Sequence, residues 1–140
     1  MPAADRALSF LSTLTVRRAR ILAAAWAVFL FTLTSWPSPP DVPVVSAIPN
    51  FDKVVHAVLY GVEGFLLYCA IAWKGPARFS WRRALLVGLI MMVWGSLDEI
   101  HQLWIPGRSC ELGDAVTDTV AGFLGAAAAS RLSARRDLDA

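Results

Sequence analysis

Four apolar runs separated by polar or proline-rich connections organise this chain: Ile21 to Trp36, Val54 to Trp73, Ala84 to Ile105 and Ala115 to Leu132. Each run predicts a helix, and each lies near the roughly 17 to 25 residues that a membrane span needs. The first is the shortest. Arg20 at its start can snorkel to an interface, and Pro37, Pro39 and Pro40 close it. A cleaved signal peptide is the alternative for this run, but no small-x-small cleavage site precedes the proline-rich stretch. The third run is continuous to Trp94 and then turns polar with Ser96, Asp98, Glu99, His101 and Gln102. The fourth is rich in Ala and Gly and contains Asp118.

Composition moves the picture towards lipid. Of 140 residues, 56% are hydrophobic and 17% charged, against about 45–50% and 25% in soluble domains. Mean hydropathy is +0.53, which argues against a water-soluble enzyme, and the length allows one domain. The formal net charge is only +2, and the informative feature is where the charges sit. Arg6, Arg17, Arg18 and Arg20 precede the first run; Lys74, Arg78, Arg82 and Arg83 separate the second and third; Arg131, Arg135 and Arg136 close the fourth. The other two connections carry only Lys53 and Arg108. The positive-inside rule therefore predicts an all-α, integral membrane four-helix bundle with both termini cytoplasmic. Residues 1–20 form a basic cytoplasmic segment, 21–132 the four-helix domain and 133–140 a cytoplasmic tail. Cys69 and Cys110 are the only cysteines, which rules out a disulfide scaffold, and no zinc-type ligand spacing is present.

The acids take the opposite side. Asp41, Asp52, Glu63, Asp98, Glu99, Glu111, Asp114 and Asp118 fall in the outer connections or the helix halves nearest them. At about 100° per residue, Asp52, Lys53, His56, Tyr60 and Glu63 share an arc of roughly 100°. Asp98, Glu99 and Gln102 share a sector with His101 at its edge. Asp114, Asp118, Gly122 and Gly125 share a face, with Ala121 beside it, and such small residues let another helix approach closely. Three polar stripes turned inward would make one outward-facing site. Blander roles compete: Asp52 and Lys53 as helix-start and interface residues, Tyr60 as a packing aromatic, Cys69, Met91, Met92 and the tryptophans as packing or belt residues, Glu111 and Asp41 as solvated loop charges. His56, Glu99 and Asp118 resist such readings, as does Glu63, because an ionisable group at bilayer depth costs about 2.5–3.5 kcal/mol even on the lenient scale. A structural ion-pair cluster is the remaining alternative for them.

The ordered string Asp52-Lys53-x-x-His56 with Tyr60, then Glu99-x-x-Gln102 before Pro106-x-Arg108, then Asp114 four residues before Asp118, resembles the VanZ-like family of small bacterial membrane proteins. The resemblance covers about residues 52–125. It departs from the family at Glu63, where an apolar residue is common, and at Ala121, where Gly is common. The family takes its name from a protein that gives low-level resistance to the glycopeptide teicoplanin. The resemblance implies a multi-pass protein of the bacterial cytoplasmic membrane with a general role in the cell envelope, and it implies candidate residues more than a reaction.

On that basis His56, Glu99, Asp114 and Asp118 are candidates for acid/base work, and Asp52, Lys53, Tyr60, Gln102 and Arg108 for ligand binding. Arg108 can fork onto phosphate or carboxylate oxygens, and a positioned carboxyl or imidazole can move a proton. The expected partners are membrane lipids, with a lipid-linked envelope precursor or a glycopeptide as ligand, and no nucleic acid. The first function is binding of such a ligand, with a role in glycopeptide resistance or envelope homeostasis. The alternatives are a membrane enzyme acting on a lipid-linked phosphate or sugar head group, and a small proton-coupled transporter using Glu63 and His56. No cofactor is assigned; a divalent cation on the carboxylates and His56 stays open, as does homo-oligomerisation.

Overall fold

The computed structural model describes residues 14–37, 50–71 and 80–138. Arg6 in the N-terminal segment, Pro39, Pro40 and Asp41 in the proline-rich connection, and Trp73, Lys74 and Arg78 in the basic connection, all assigned above from the sequence, lie outside the described residues, as do the side chains from Arg135 onwards. Four helices make up the described structure, and no strand occurs among the described residues: α1 (Val16–Thr34), α2 (Phe51–Ala70), α3 (Trp81–Gln102) and α4 (Leu112–Leu138). The starts of α1 and α3 follow local capping chemistry rather than hydropathy. Thr15 accepts from the Arg18 amide and Ser80 from the Arg83 amide, so α1 and α3 each begin ahead of their apolar run. The predicted boundary at residue 20 therefore falls inside α1, and α4 overruns its apolar run at both ends.

Cross-helix bonds fix an up-down-up-down order. The α1 side chain of Trp26 donates to Leu59 O at 2.9 Å and Arg20 Nε to Ala70 O at 3.2 Å, so α1 runs antiparallel to α2. Lys53 meets Asp114 near the starts of α2 and α4, while the Tyr68 hydroxyl donates to Ser130 Oγ near their other end. Those two helices are parallel, and the Ser80 amide at the start of α3 also donates to Ser130 Oγ. Hence the end where α1 and α3 finish is the end where α2 and α4 begin.

Glycines set the tightest crossing. A Cβ on Gly64 would collide with the backbone of Gly122, and one on Gly125 with the carbonyl of Gly61. With no side chain between them, α2 and α4 pack backbone against backbone. Tyr60, Val87, Met91, Ala126 and Ala129 fill the core around that crossing.

Burial is inverted relative to a soluble protein. Glu99 is 2% exposed and Asp118 0%, whereas Val28, Val58, Leu89, Leu97 and Leu124 are all more than half exposed. Large aliphatic side chains thus cover the outside while carboxylates line the inside, against the usual preference. By length and composition, α2 and α3 are apolar enough to cross a membrane. The expectation of four such helices is met for these two; α1 carries Arg17, Arg18 and Arg20, and α4 dilutes its alanines with Asp, Thr and Gly.

Candidate functional site

At the end where α2 and α4 begin, the Lys53 ammonium is the hub of an acidic ring. Its Nζ lies 3.0 Å from Asp52 Oδ2, 3.3 Å from Glu111 Oε2 and 3.0 Å from Asp114 Oδ1. Asp52 and Glu111 are about half exposed, and Asp114 is mostly enclosed. Asp52 and Asp114 are each in the first turn of their helix, where the exposed amide ends favour a negative charge.

One turn deeper, His56 Nδ1 lies 2.9 Å from Asp118 Oδ1. The two sit one turn beyond Lys53 and Asp114 on parallel helices, so the same register that makes the outer pair makes the inner one. Gly95 on α3 leaves the space: a Cβ there would stand 3.0 Å from Asp118 Cβ and 3.3 Å from its Oδ2. Asp118 Oδ2 is buried without a hydrogen-bond partner. Glu99 approaches from α3, and its carboxylate is held on both oxygens, by Gln102 Nε2 at 3.1 Å and by the Glu111 amide at 2.7 Å. His56, Glu99 and Asp118 each offer a donor atom within 4.8 Å of the others, and Asp52, Glu111 and Asp114 form a second such group.

Deeper still, Asp98 accepts from the Tyr60 hydroxyl at 2.7 Å and from the Thr34 hydroxyl at 2.8 Å, and Gln102 Nε2 stands 3.4 Å away. The Tyr60 ring lies parallel to the His56 imidazole, with 5.8 Å between centroids. Polar groups from all four helices therefore form one column running inward from the Lys53 ring.

The VanZ/LLP1 family model matches residues 8–133. The chain belongs to the VanZ/LLP1 family. The match begins well ahead of Asp52, so membership takes in α1 as well as the motif-bearing helices. Comparison with curated proteins and with solved structures returned no match.

The VanZ-like motif residues Asp52, Lys53, His56, Tyr60, Glu99, Gln102, Asp114 and Asp118 are joined by the contacts above. Arg108 is not among them. It lies in the turn after α3, where Gly107 takes φ 79°, and its half-buried side chain has no ion pair with a carboxylate among the described residues; its Nε is buried without a partner. Glu63 also stands apart. It lines a cleft of about 520 Å³ between α1 and α2 with Arg20, Ala23 and Leu67, and its Oε2 is unpartnered. His101 turns away from His56, bonding to Ser35 Oγ at 3.1 Å and stacking on Phe31.

Two members of the column escaped the sequence reading. Thr34, the last residue of α1, is a small polar residue inside the first apolar run and carries no periodic signal. Glu111, read as a solvated loop charge, is half exposed yet joins the Lys53 ring through its side chain and Glu99 through its amide. Backbone donation of that kind leaves no trace in residue type.

Proposed function

We propose that this VanZ-family protein spans the bacterial cytoplasmic membrane four times, with both termini cytoplasmic, and uses the column as an extracytoplasmic pocket for the head group of an envelope lipid or glycopeptide-type ligand. The exposed aliphatic belt supports insertion, because enclosing carboxylates while exposing leucine and valine is favourable only when the surroundings are apolar. The cations flanking the helices support the orientation.

One observation carries the ligand class: Arg108, three residues before Glu111 in the connection between α3 and α4, is half-buried with its Nε unpartnered and makes no ion pair with a carboxylate among the described residues. An Arg in that state is poised for an anion supplied from outside, such as a phosphate or carboxylate, which its planar fork can grip through two oxygens. A tail continuing from that group would run along the apolar helix surface.

The His56–Asp118 pair favours a second reading, a membrane enzyme acting on such a head group. A carboxylate at Nδ1 orients the imidazole and leaves Nε2 to exchange a proton with a ligand.

Arg108→Lys and Glu99→Gln test both readings in cells lacking the native protein, with envelope-lipid composition and glycopeptide susceptibility as readouts that the wild-type chain changes. Each variant is expected to insert, accumulate and lose the wild-type effect, since an ammonium cannot reproduce the fork. Folded variants that match wild type in every readout would reduce the column to a structural ion-pair network. Cysteine-accessibility labelling tests the orientation: cysteines placed at Arg131 should label only from the cytoplasmic side, and labelling there only from outside would refute it.

A further inference from the structure

The inner and outer acidic groups differ in one respect. Asp52, Glu111 and Asp114 surround the Lys53 ammonium at 3.0–3.3 Å and so already hold a cation. Glu99 and Asp118 are 2% and 0% exposed; Asp118 bonds to the His56 imidazole and Glu99 to the neutral Gln102 amide and Glu111 backbone, and neither carboxylate is ion-paired with a Lys or Arg among the described residues. Two buried carboxylates beside a single imidazole are short of positive charge, and burying uncompensated charge costs several kcal/mol per ion.

We propose that His56, Glu99 and Asp118 bind one divalent transition-metal cation of the Zn²⁺ or Mn²⁺ class. The three donors come from three different helices and lie within 4.8 Å of one another. Ligand distances of about 2.0–2.2 Å to zinc require donors somewhat closer than that limit, which small side-chain rotations supply. The fully buried Asp118 keeps Oδ2 without a hydrogen-bond donor, so one carboxylate oxygen in the cluster is already free to coordinate. Gln102 and the Glu111 amide hold the Glu99 carboxylate in place, the kind of outer support that orients metal ligands. One imidazole with two carboxylates suits zinc or manganese better than Mg²⁺ or Ca²⁺, which favour all-oxygen shells. Three protein ligands also leave coordination positions open to a ligand oxygen. The metal site stands without the lipid reading; if both hold, the ion supplies counter-charge for an anionic head group gripped by Arg108.

Full-length protein with any affinity tag removed, stripped by chelator in detergent, is equilibrated with Zn²⁺ or Mn²⁺ alone. Bound metal is then counted by elemental mass spectrometry and affinity measured by calorimetry. The expected result is one ion per chain, retained in Cys110→Ser, with affinity reduced about tenfold or more in Asp118→Asn and in His56→Gln. X-ray absorption of the zinc-loaded wild type should show one imidazole with oxygen donors. That spectrum and the stoichiometry need no variant, so they decide the matter even if a substitution unfolds the bundle. Binding well below one ion per chain, sulfur donors, absence of imidazole, or folded Asp118→Asn and His56→Gln variants that bind like wild type would overturn the proposal. Because no lipid enters the measurement, its failure leaves the head-group reading to its own test.

Discussion

Gly64 and Gly61 lie one turn apart on α2, yet alanine should have opposite effects at the two. A Cβ on Gly64 would stand 2.6 Å from Gly122 Cα and C, about 0.8 Å short of the 3.4 Å at which ordinary contact begins. The obstacle is backbone, so α2 and α4 must separate rather than a side chain turning aside. Overpacking of this kind costs about 1–3 kcal/mol. If the separation is transmitted along the helix, the 2.9 Å contact between His56 and Asp118 stretches beyond hydrogen-bond range, which adds about 1.5–3 kcal/mol for a bond to a charged group. At a few degrees per kcal/mol for a chain of this size, Gly64→Ala should melt roughly 10–20 °C below wild type in detergent. A Cβ on Gly61 meets only Ala121 O, at 3.6 Å. There the better helix propensity of alanine, about 0.8–1 kcal/mol, should leave the melting temperature unchanged or a few degrees higher. Thiol-reactive dye melts of the three proteins give the comparison. A Gly64→Ala protein that melts with Gly61→Ala would refute the backbone-contact account of the crossing.

Tyr60→Phe removes the 2.7 Å donor to Asp98 and should cost about 1.5–3 kcal/mol; a double-mutant cycle with Asp98→Asn should recover most of that as coupling, and strict additivity would show that the bond contributes nothing. Ser130→Ala strips both the Tyr68 hydroxyl and the Ser80 amide of their partner, with an expected loss of about 1–3 kcal/mol in the same melts, and an unchanged melt would mean that those groups find another acceptor. Glu63, 6% exposed with an unpartnered oxygen, should behave differently: Glu63→Gln is expected to melt at or above wild type, and a clear drop would reveal an ion pair that holds its carboxylate.

Which of these features the sequence discloses depends on whether periodicity governs them. The helix faces of α2 and α4 were legible because Lys53, His56, Asp114 and Asp118 lie in equivalent positions of two parallel helices, and a polar residue within an apolar run stands out. Glu63 shares the arc of Asp52 and His56, but it serves the α1–α2 cleft instead of the pocket. Once helices cross, a shared face no longer implies a shared neighbour. Arg108 sits in a turn, where no period applies. The capping of α1 by Thr15 moved a boundary that hydropathy had placed at Ile21, because a hydroxyl at the N-cap outweighs the polarity of three arginines.

The column also grades from solvated to enclosed, and that gradient separates its roles. Around Lys53 the carboxylates of Asp52 and Glu111 are about half exposed, so water screens them and their mutual repulsion is weak. Their ion pairs with Lys53 can therefore open and close without a large desolvation cost. One turn deeper, Asp118 is shielded entirely, and charge interactions there are several-fold stronger than at the surface. An anion brought to the column would be repelled by the inner carboxylates unless a cation stood between them. The same depth that makes Asp118 expensive to leave half paired therefore makes it the position at which a bound cation would have the greatest effect on what the pocket accepts.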